Sequence, residues 1–455
     1  MTGYIALLPE IFLFISSLLL IFFKKKELTA FVLTLSCLVL SLFLYNQSYF
    51  GFDAFNGFVF ISRFSQSIKI LILFFALVFF LQLIFTDQNY DKQFATLVVF
   101  SVIGMMLVAS SANLLSLYIA LELQSLPLYV LSCIDKKSTK SSEAGVKYFA
   151  LGILSSAIAI YGISVVYSVS GSFAFSDSFL IYNRLHIIGL IFFVSGLLFK
   201  LAIVPFHTWI PDIYEGAPTI SVAFFGMVSK FSVVAALVSV FTGFHSQEKF
   251  YASDLANTLA SQMQNPLLIL SSVSILFGAL SALGQNNIKR FIAFASVVHA
   301  GYILLGVASS GEFSAQNPAI IYLTIYSIIN VGIFSFLLVL PTSKIDRLSG
   351  FGATNKLAGA CFAVLLLSSA GIPPFAGFFS KLYAVKSLID SGFFVVALFS
   401  VLFGVIAAFY YLKIIKIMYF DQQKEELNLK DNNVAMTLMM LSALLNLVFF
   451  IYPAS

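Results

Sequence analysis

Cysteine is nearly absent from these 455 residues, with only Cys37, Cys133 and Cys361, far apart and in no paired spacing. That excludes a cysteine-ligated iron-sulfur set and a disulfide framework. Histidine is as scarce: His186, His207, His245 and His299 do not recur in pairs on one helix, as stacked haems would need. The composition argues that the chain carries no redox centre. Charge is short too, with Asp, Glu, Lys and Arg at 10% together. No basic region, small-residue cleavage site or Arg-rich presequence precedes the first apolar run, Tyr4 to Phe23, so insertion without a cleaved address is expected.

What fills the chain instead is apolar sequence, 60% hydrophobic with mean hydropathy +1.00. Its apolar runs repeatedly reach the ~20 residues needed to cross a bilayer as helix. The expectation is an all-α integral membrane protein of about 14 transmembrane helices. The net charge of +5 does not point to nucleic acid, because most lysines lie in short loops between apolar runs. Basic residues from Lys24, Lys25 and Lys26 through Lys92, Lys140, Lys289, Arg290, Lys344, Lys413 and Lys424 to Lys430 follow odd-numbered helices. Loops after even-numbered helices hold only Arg63, Arg184 and Lys249. That bias supports the count and places both termini on the outer side.

Two helices stand apart. Helix 7 (His186 to Tyr214) and helix 12 (Leu357 to Ile389) are each about 30 residues long, with proline near the middle and a lysine nearby. Pro205 would free the carbonyl of Leu201, and Pro374 that of Ala370. Freed carbonyls at membrane depth require protein or water to satisfy them. Interrupted helices at matching places point to inverted repeats. The expected division is a three-helix segment (1–93), a first five-helix repeat of helices 4–8 (94–241), a second of helices 9–13 (242–419), and a C-terminal loop and helix (420–455).

Four ionisable groups lie deep in spans: Glu122, Lys200, Lys230 and Lys381. Lys200 is about 14 residues, roughly 20 Å, from either end of its helix, beyond the reach of a snorkelling side chain. Facing lipid, the four would cost ~10 kcal/mol together, so they are expected along an interior hydrated path. All three deep cations are lysine and none is arginine. A lysine can release its proton when desolvated, whereas arginine stays charged. Structural alternatives stand beside three of them: Glu122 as partner of one lysine, Lys230 as a purely structural cation, Lys381 as a snorkelling one. His299 in ASVVHAGYILLG is either a proton relay in helix 10 or a hydrogen-bonded interior residue. His207 reads as structural or as a group on an access side. Glu10 reads as interfacial, Lys69 and Lys147 as reaching headgroups, and the many Phe and Tyr as packing and lipid-facing.

The motifs LELQSLPLYVL, SSEAGVKYFALGILSSAIAIYG, FKLAIVPFHTWIPDIYEGAPT, NNIKRFIAFASVVHAGYILLG and GIPPFAGFFSK follow one another from about Phe94 to Tyr419. In this order they resemble the antiporter-like membrane subunits of respiratory complex I, shared with multisubunit cation/proton antiporters. LLPEIFL and the helix count look most like subunit 2, the bacterial subunit N. The resemblance implies a non-redox, proton-translocating subunit of an NADH:ubiquinone oxidoreductase, with Glu122, Lys200, Lys230, His299 and Lys381 as its proton-transfer series. It implies neighbours of the subunit 4 and 4L types within the membrane lipids. NADH, flavin, iron-sulfur clusters and ubiquinone would be bound by other subunits. A cation/proton antiporter subunit and a pure scaffold are the alternatives. High Phe, Ile, Asn and Lys suggest an AT-rich genome, so the expected site is the mitochondrial inner membrane, with the bacterial inner membrane as alternative.

Overall fold

The computed structural model describes residues 5, 7–23, 26–46, 51–86, 93–175, 183–241, 254–309, 317–423 and 427–451. Lys24, Lys25, Lys92, His245, Lys249 and Lys424 lie outside them. The helices are α1 (Leu8–Leu19), α2 (Lys26–Asn46), α3 (Arg63–Ile84), α4 (Phe94–Ala109), α5 (Leu114–Ser132) and α6 (Thr139–Ser170). They continue as α7 (Arg184–Leu201), α8 (Ile210–Gly216), α9 (Thr219–Met227), α10 (Ser229–Phe241), α11 (Asp254–Leu283) and α12 (Ile288–Ser309). The rest are α13 (Pro318–Val339), α14 (Lys356–Ala370), α15 (Ala376–Asp390), α16 (Phe394–Phe420) and α17 (Asn433–Ile451). Among the described residues, ten helices are long and apolar enough to cross a membrane, and four more apolar ones are shorter, which matches the expected number.

Helix 7 of the sequence reading is α7 plus α8, helix 8 is α9 plus α10, and helix 12 is α14 plus α15. The break in helix 8, at Val228, departs from the continuous span expected and follows Gly226 by two residues, with no proline to mark it. A second departure is a small antiparallel hairpin, β1 (Phe52–Ala54) and β2 (Val59–Ile61), in an otherwise helical chain. Its turn runs through Phe55 and Asn56, both at positive φ, and Gly57.

Polar caps set several helix starts. The Ser62 side chain accepts from the Ser65 backbone and Asn113 from that of Ser116, each in a reciprocal capping box. Ser62 therefore starts α3 at Arg63, four residues before the apolar run begins. Gly171, at φ 69°, closes α6 in the left-handed conformation.

The loops sort onto two ends as the charge bias requires. At one end the hairpin reaches Ser110 and Asn113, and Asn113 pairs with Ala174. At the other, Asn287 pairs with Lys344, and Lys140 and Arg290 meet Asp212 and Glu215. Between them Thr219–Phe241, Ile288–Ser309 and Pro318–Val339 are buried almost throughout, whereas α2 and α16 face outward. Lys230 and His299 ride on the central helices.

Candidate proton path

Glu122 on α5 accepts a hydrogen bond from Ser156 at 2.5 Å, on the same Oε1 that lies 3.7 Å from the Lys200 ammonium. Lys200 donates to Ser125, one helical turn beyond Glu122, at 2.5 Å. Lys200 was expected at mid-helix. Instead α7 ends one residue later, at Leu201, and Ala202 turns into the left-handed conformation at φ 62°. The ammonium thus belongs to the last turn of a helix, where the backbone dipole favours positive charge. The carbonyl of Phe199 accepts both the Ala202 N–H and the Trp209 indole, each at 3.0 Å, which ties the break to α8.

Lys200 and Lys230 line one cavity of about 20 Å³ with Gln124, Ser125, Tyr148 and Tyr214. That volume is room for a water molecule. Lys230 follows the α9–α10 break by two residues, and polar side chains take up the disturbed carbonyls. Asn330 donates to Gly226, Ser327 to Met227 and Gln124 to Ser229. The Lys230 ammonium is 3.5 Å from the Tyr326 hydroxyl and is buried.

His299 lies against the Tyr326 ring, with centroids 4.6 Å apart. Its Nδ1 is 2.8 Å from the Tyr322 hydroxyl and its Nε2 is 2.9 Å from that of Tyr411. Lys381 sits on α15 and reaches back across the break to donate to the carbonyl of Ala370 at 2.6 Å. This is the carbonyl that Pro374 removes from the helical ladder.

The two interrupted helices break in the same form. AIVP and GIPP each begin with a residue at positive φ, Ala202 and Gly371, and end three residues later on a cis proline. In each, the isoleucine after that residue donates to the carbonyl five residues back: Ile203 to Leu198 and Ile372 to Leu367.

Other positions differ from expectation. Glu10 and Lys69 are not interfacial: they form a buried ion pair joining α1 to α3, their side chains 5% and 0% exposed. Two opposite charges each inside a span were the available signal, since buried charges occur in pairs. Lys147 joins a surface cluster, bonded to Asp212 at 2.8 Å and to Glu143 at 2.7 Å. Burial raises the Asp212 carboxyl, but hydrogen bonds from Lys147 and Arg290 outweigh it and hold Asp212 below its usual range. Burial likewise acts on Glu215, which Lys140 and Arg290 hold down. His207 packs its ring against Phe277 and does not join the row. Reading the tyrosines as packing missed their hydroxyls. Tyr322 and Tyr326, four residues apart and so on one face of a span, were the signal.

Residues 111–407 match the family model described as NADH:quinone oxidoreductase/Mrp antiporter, TM. NADH-quinone oxidoreductase subunit N of Neorickettsia risticii is 44% identical over 457 residues, 99% of each chain. This chain belongs to that family, in its subunit N branch. A chain of respiratory complex I from Thermus thermophilus with bound aureothin is 28% identical, with TM-score 0.82 over 100% of this chain and 97% of that one. A chain of the Mrp complex from Dietzia sp. shares the fold at TM-score 0.82 and 18% identity, over 98% of this chain and 94% of its own. The family places the chain among multi-pass membrane proteins. The expectation of a mitochondrial membrane finds no support, since these relatives are bacterial.

Proposed function

We propose that this chain is a proton-translocating membrane-arm subunit of a bacterial NADH:quinone oxidoreductase, in the inner membrane. The observation that carries the reading is the Glu122–Lys200 pair, each partner also hydrogen-bonded to a serine, followed by Lys230 and His299 on the most buried helices and by Lys381 at the break between α14 and α15. A carboxylate and an amine at 3.7 Å, not locked in a tight ion pair, can trade a proton as the field around them changes. Quinone reduction in other subunits would shift that field, opening and closing the pair and so changing the proton affinity of Lys200 and then Lys230.

In this reading residues 94–241 and 242–419 act as two five-helix repeats of opposite sense, between residues 1–93 and 420–455. The shared form of the two breaks supports the division. The chain works beside other membrane-arm subunits, with subunit 4-type and 4L-type neighbours. It holds no cofactor itself. Nicotinamide, flavin, iron-sulfur and quinone chemistry belongs to those partners, which the scattered cysteines support.

Lys200→Met in the assembled complex tests the reading. Proton uptake into vesicles per NADH oxidised should fall, together with coupled turnover. Full pumping with normal assembly would defeat it and favour a scaffold. Purification decides the antiporter alternative: co-isolation with flavin and iron-sulfur subunits is expected, and Na+-dependent exchange without them would overturn the assignment.

A further inference from the structure

Phenol hydroxyls, not lysines, occupy both ring nitrogens of His299. A neutral imidazole has one N–H and one lone pair, so its partners must be one acceptor and one donor, and the other tautomer reverses the roles. An ammonium only donates and a carbonyl only accepts. A hydroxyl does either. Two hydroxyls therefore satisfy both tautomers without any rotation of the ring.

Beside this clasp lies a cavity of about 10 Å³ lined by Ser296, His299, Tyr326, Asn330, Ser369 and Tyr411. It has about the volume of one water and the polar lining that a buried water requires. The Ser296 hydroxyl on its wall is buried and has no hydrogen-bond partner among the described residues. Tyr326 opens onto the same space and approaches Lys230 from its other side. Ser369 on that wall precedes Ala370, whose carbonyl Lys381 holds.

We propose that Tyr322 and Tyr411 are proton-relay residues that pass a proton through His299, and that one water in this cavity links Tyr411 to Tyr326 and Lys230. The protons balance at each centre. Lys230 gives one proton to Tyr326, which releases its own to the water, and the water hands one to Tyr411. Tyr411 gives its hydroxyl proton to Nε2 as it takes the water's. Nδ1 releases a proton to Tyr322, which passes its own to Ser380, its hydrogen-bond partner and the chain neighbour of Lys381, leaving every phenol neutral. The inference rests on the proton-translocating reading and names the groups that close the distance between Lys230 and Lys381.

The test uses the assembled complex in proteoliposomes, with Tyr322→Phe, Tyr411→Phe and the double variant beside Lys200→Met. Proton uptake by this chain, taken as the part lost in Lys200→Met, should fall about tenfold or more in either single variant. The double variant should lose no more than either single one, because the two hydroxyls act in series. Tyr302→Phe removes an equally buried hydroxyl, bonded to the Ser400 carbonyl, and should pump normally. Fluorotyrosine at position 411 keeps shape and hydroxyl but alters acidity, so it should change the rate of uptake even if Tyr411→Phe fails to assemble. Full pumping by the Phe variants beside a defective Lys200→Met overturns the relay alone, as do additive losses or an unchanged rate with fluorotyrosine. Full pumping by Lys200→Met as well overturns the underlying reading.

Discussion

Lys381 donates to the carbonyl of Ala370 at 2.6 Å, across a break in which Gly371 stands between the two half-helices at φ 80°. The cation and the interrupted helix are therefore one device. Pro374 withdraws the backbone donor, and the ammonium replaces it. Lys200 lies on the other side of the equivalent break, in the last turn of its own half-helix. Both amines sit at the negative end of a first half-helix, although the sequence puts one before its break and the other after it.

Gly371 carries two demands at once. Its φ is left-handed, and a Cβ there would come within 2.6 Å of the Lys381 side chain. Gly371→Ala should lower the thermal stability of the complex by more than the ~1 kcal/mol of backbone strain alone, and should reduce pumping by displacing Lys381. Ala202 holds the same conformation with a Cβ in place, so Ala202→Gly should be neutral or stabilising by up to about 1 kcal/mol. Melting curves of the two purified variants, lowered for Gly371→Ala and unchanged or raised for Ala202→Gly, would check the pair.

Lys200→Arg separates charge from proton release. The guanidinium keeps a cation beside Glu122 but does not deprotonate. Normal assembly with pumping reduced to the level of Lys200→Met is expected. Pumping at the native level would mean that fixed charge is all the site needs.

The Glu10–Lys69 pair should behave as an enclosed ion pair. Lys69→Met or Glu10→Gln alone leaves one buried group without its partner and should cost about 3–5 kcal/mol. Changing both, Glu10→Gln with Lys69→Met, should recover most of that loss. A double-mutant cycle on unfolding of the complex reads the coupling, and additive effects would contradict it.

Asp212 and Glu215 are held below their usual range by Lys147, Lys140 and Arg290. A depressed carboxyl stabilises the fold at pH above its unfolded value, about 4, and that contribution disappears as the pH falls through the lower folded value. The end of the molecule carrying Lys140 and Arg290 should therefore loosen below about pH 4. Asp212→Asn should remove part of that acid sensitivity, measured as protease cleavage near residues 135–143 against pH.

The number of spans, the loop bias, the two interrupted helices and the four deep ionisable residues were all legible in the amino-acid order. Each follows from a rule that acts along the chain: the length needed to cross a bilayer, the cost of a charge in it, and the missing N–H of proline. Pro374 even identified Ala370 as the carbonyl that would need a partner. What the chain order could not decide was which groups meet. Glu10 and Lys69 are 59 positions apart, and each taken alone fits a helix end. The break at Val228 has no proline, only Gly226 two residues earlier, and is held by Asn330 and Ser327 from a distant helix. Tyr322 and Tyr411 become partners of His299 only when α13 and α16 close around α12. A buried polar atom must find its hydrogen bond wherever packing offers one, and packing between helices is set by the whole fold and not by any local run of residues.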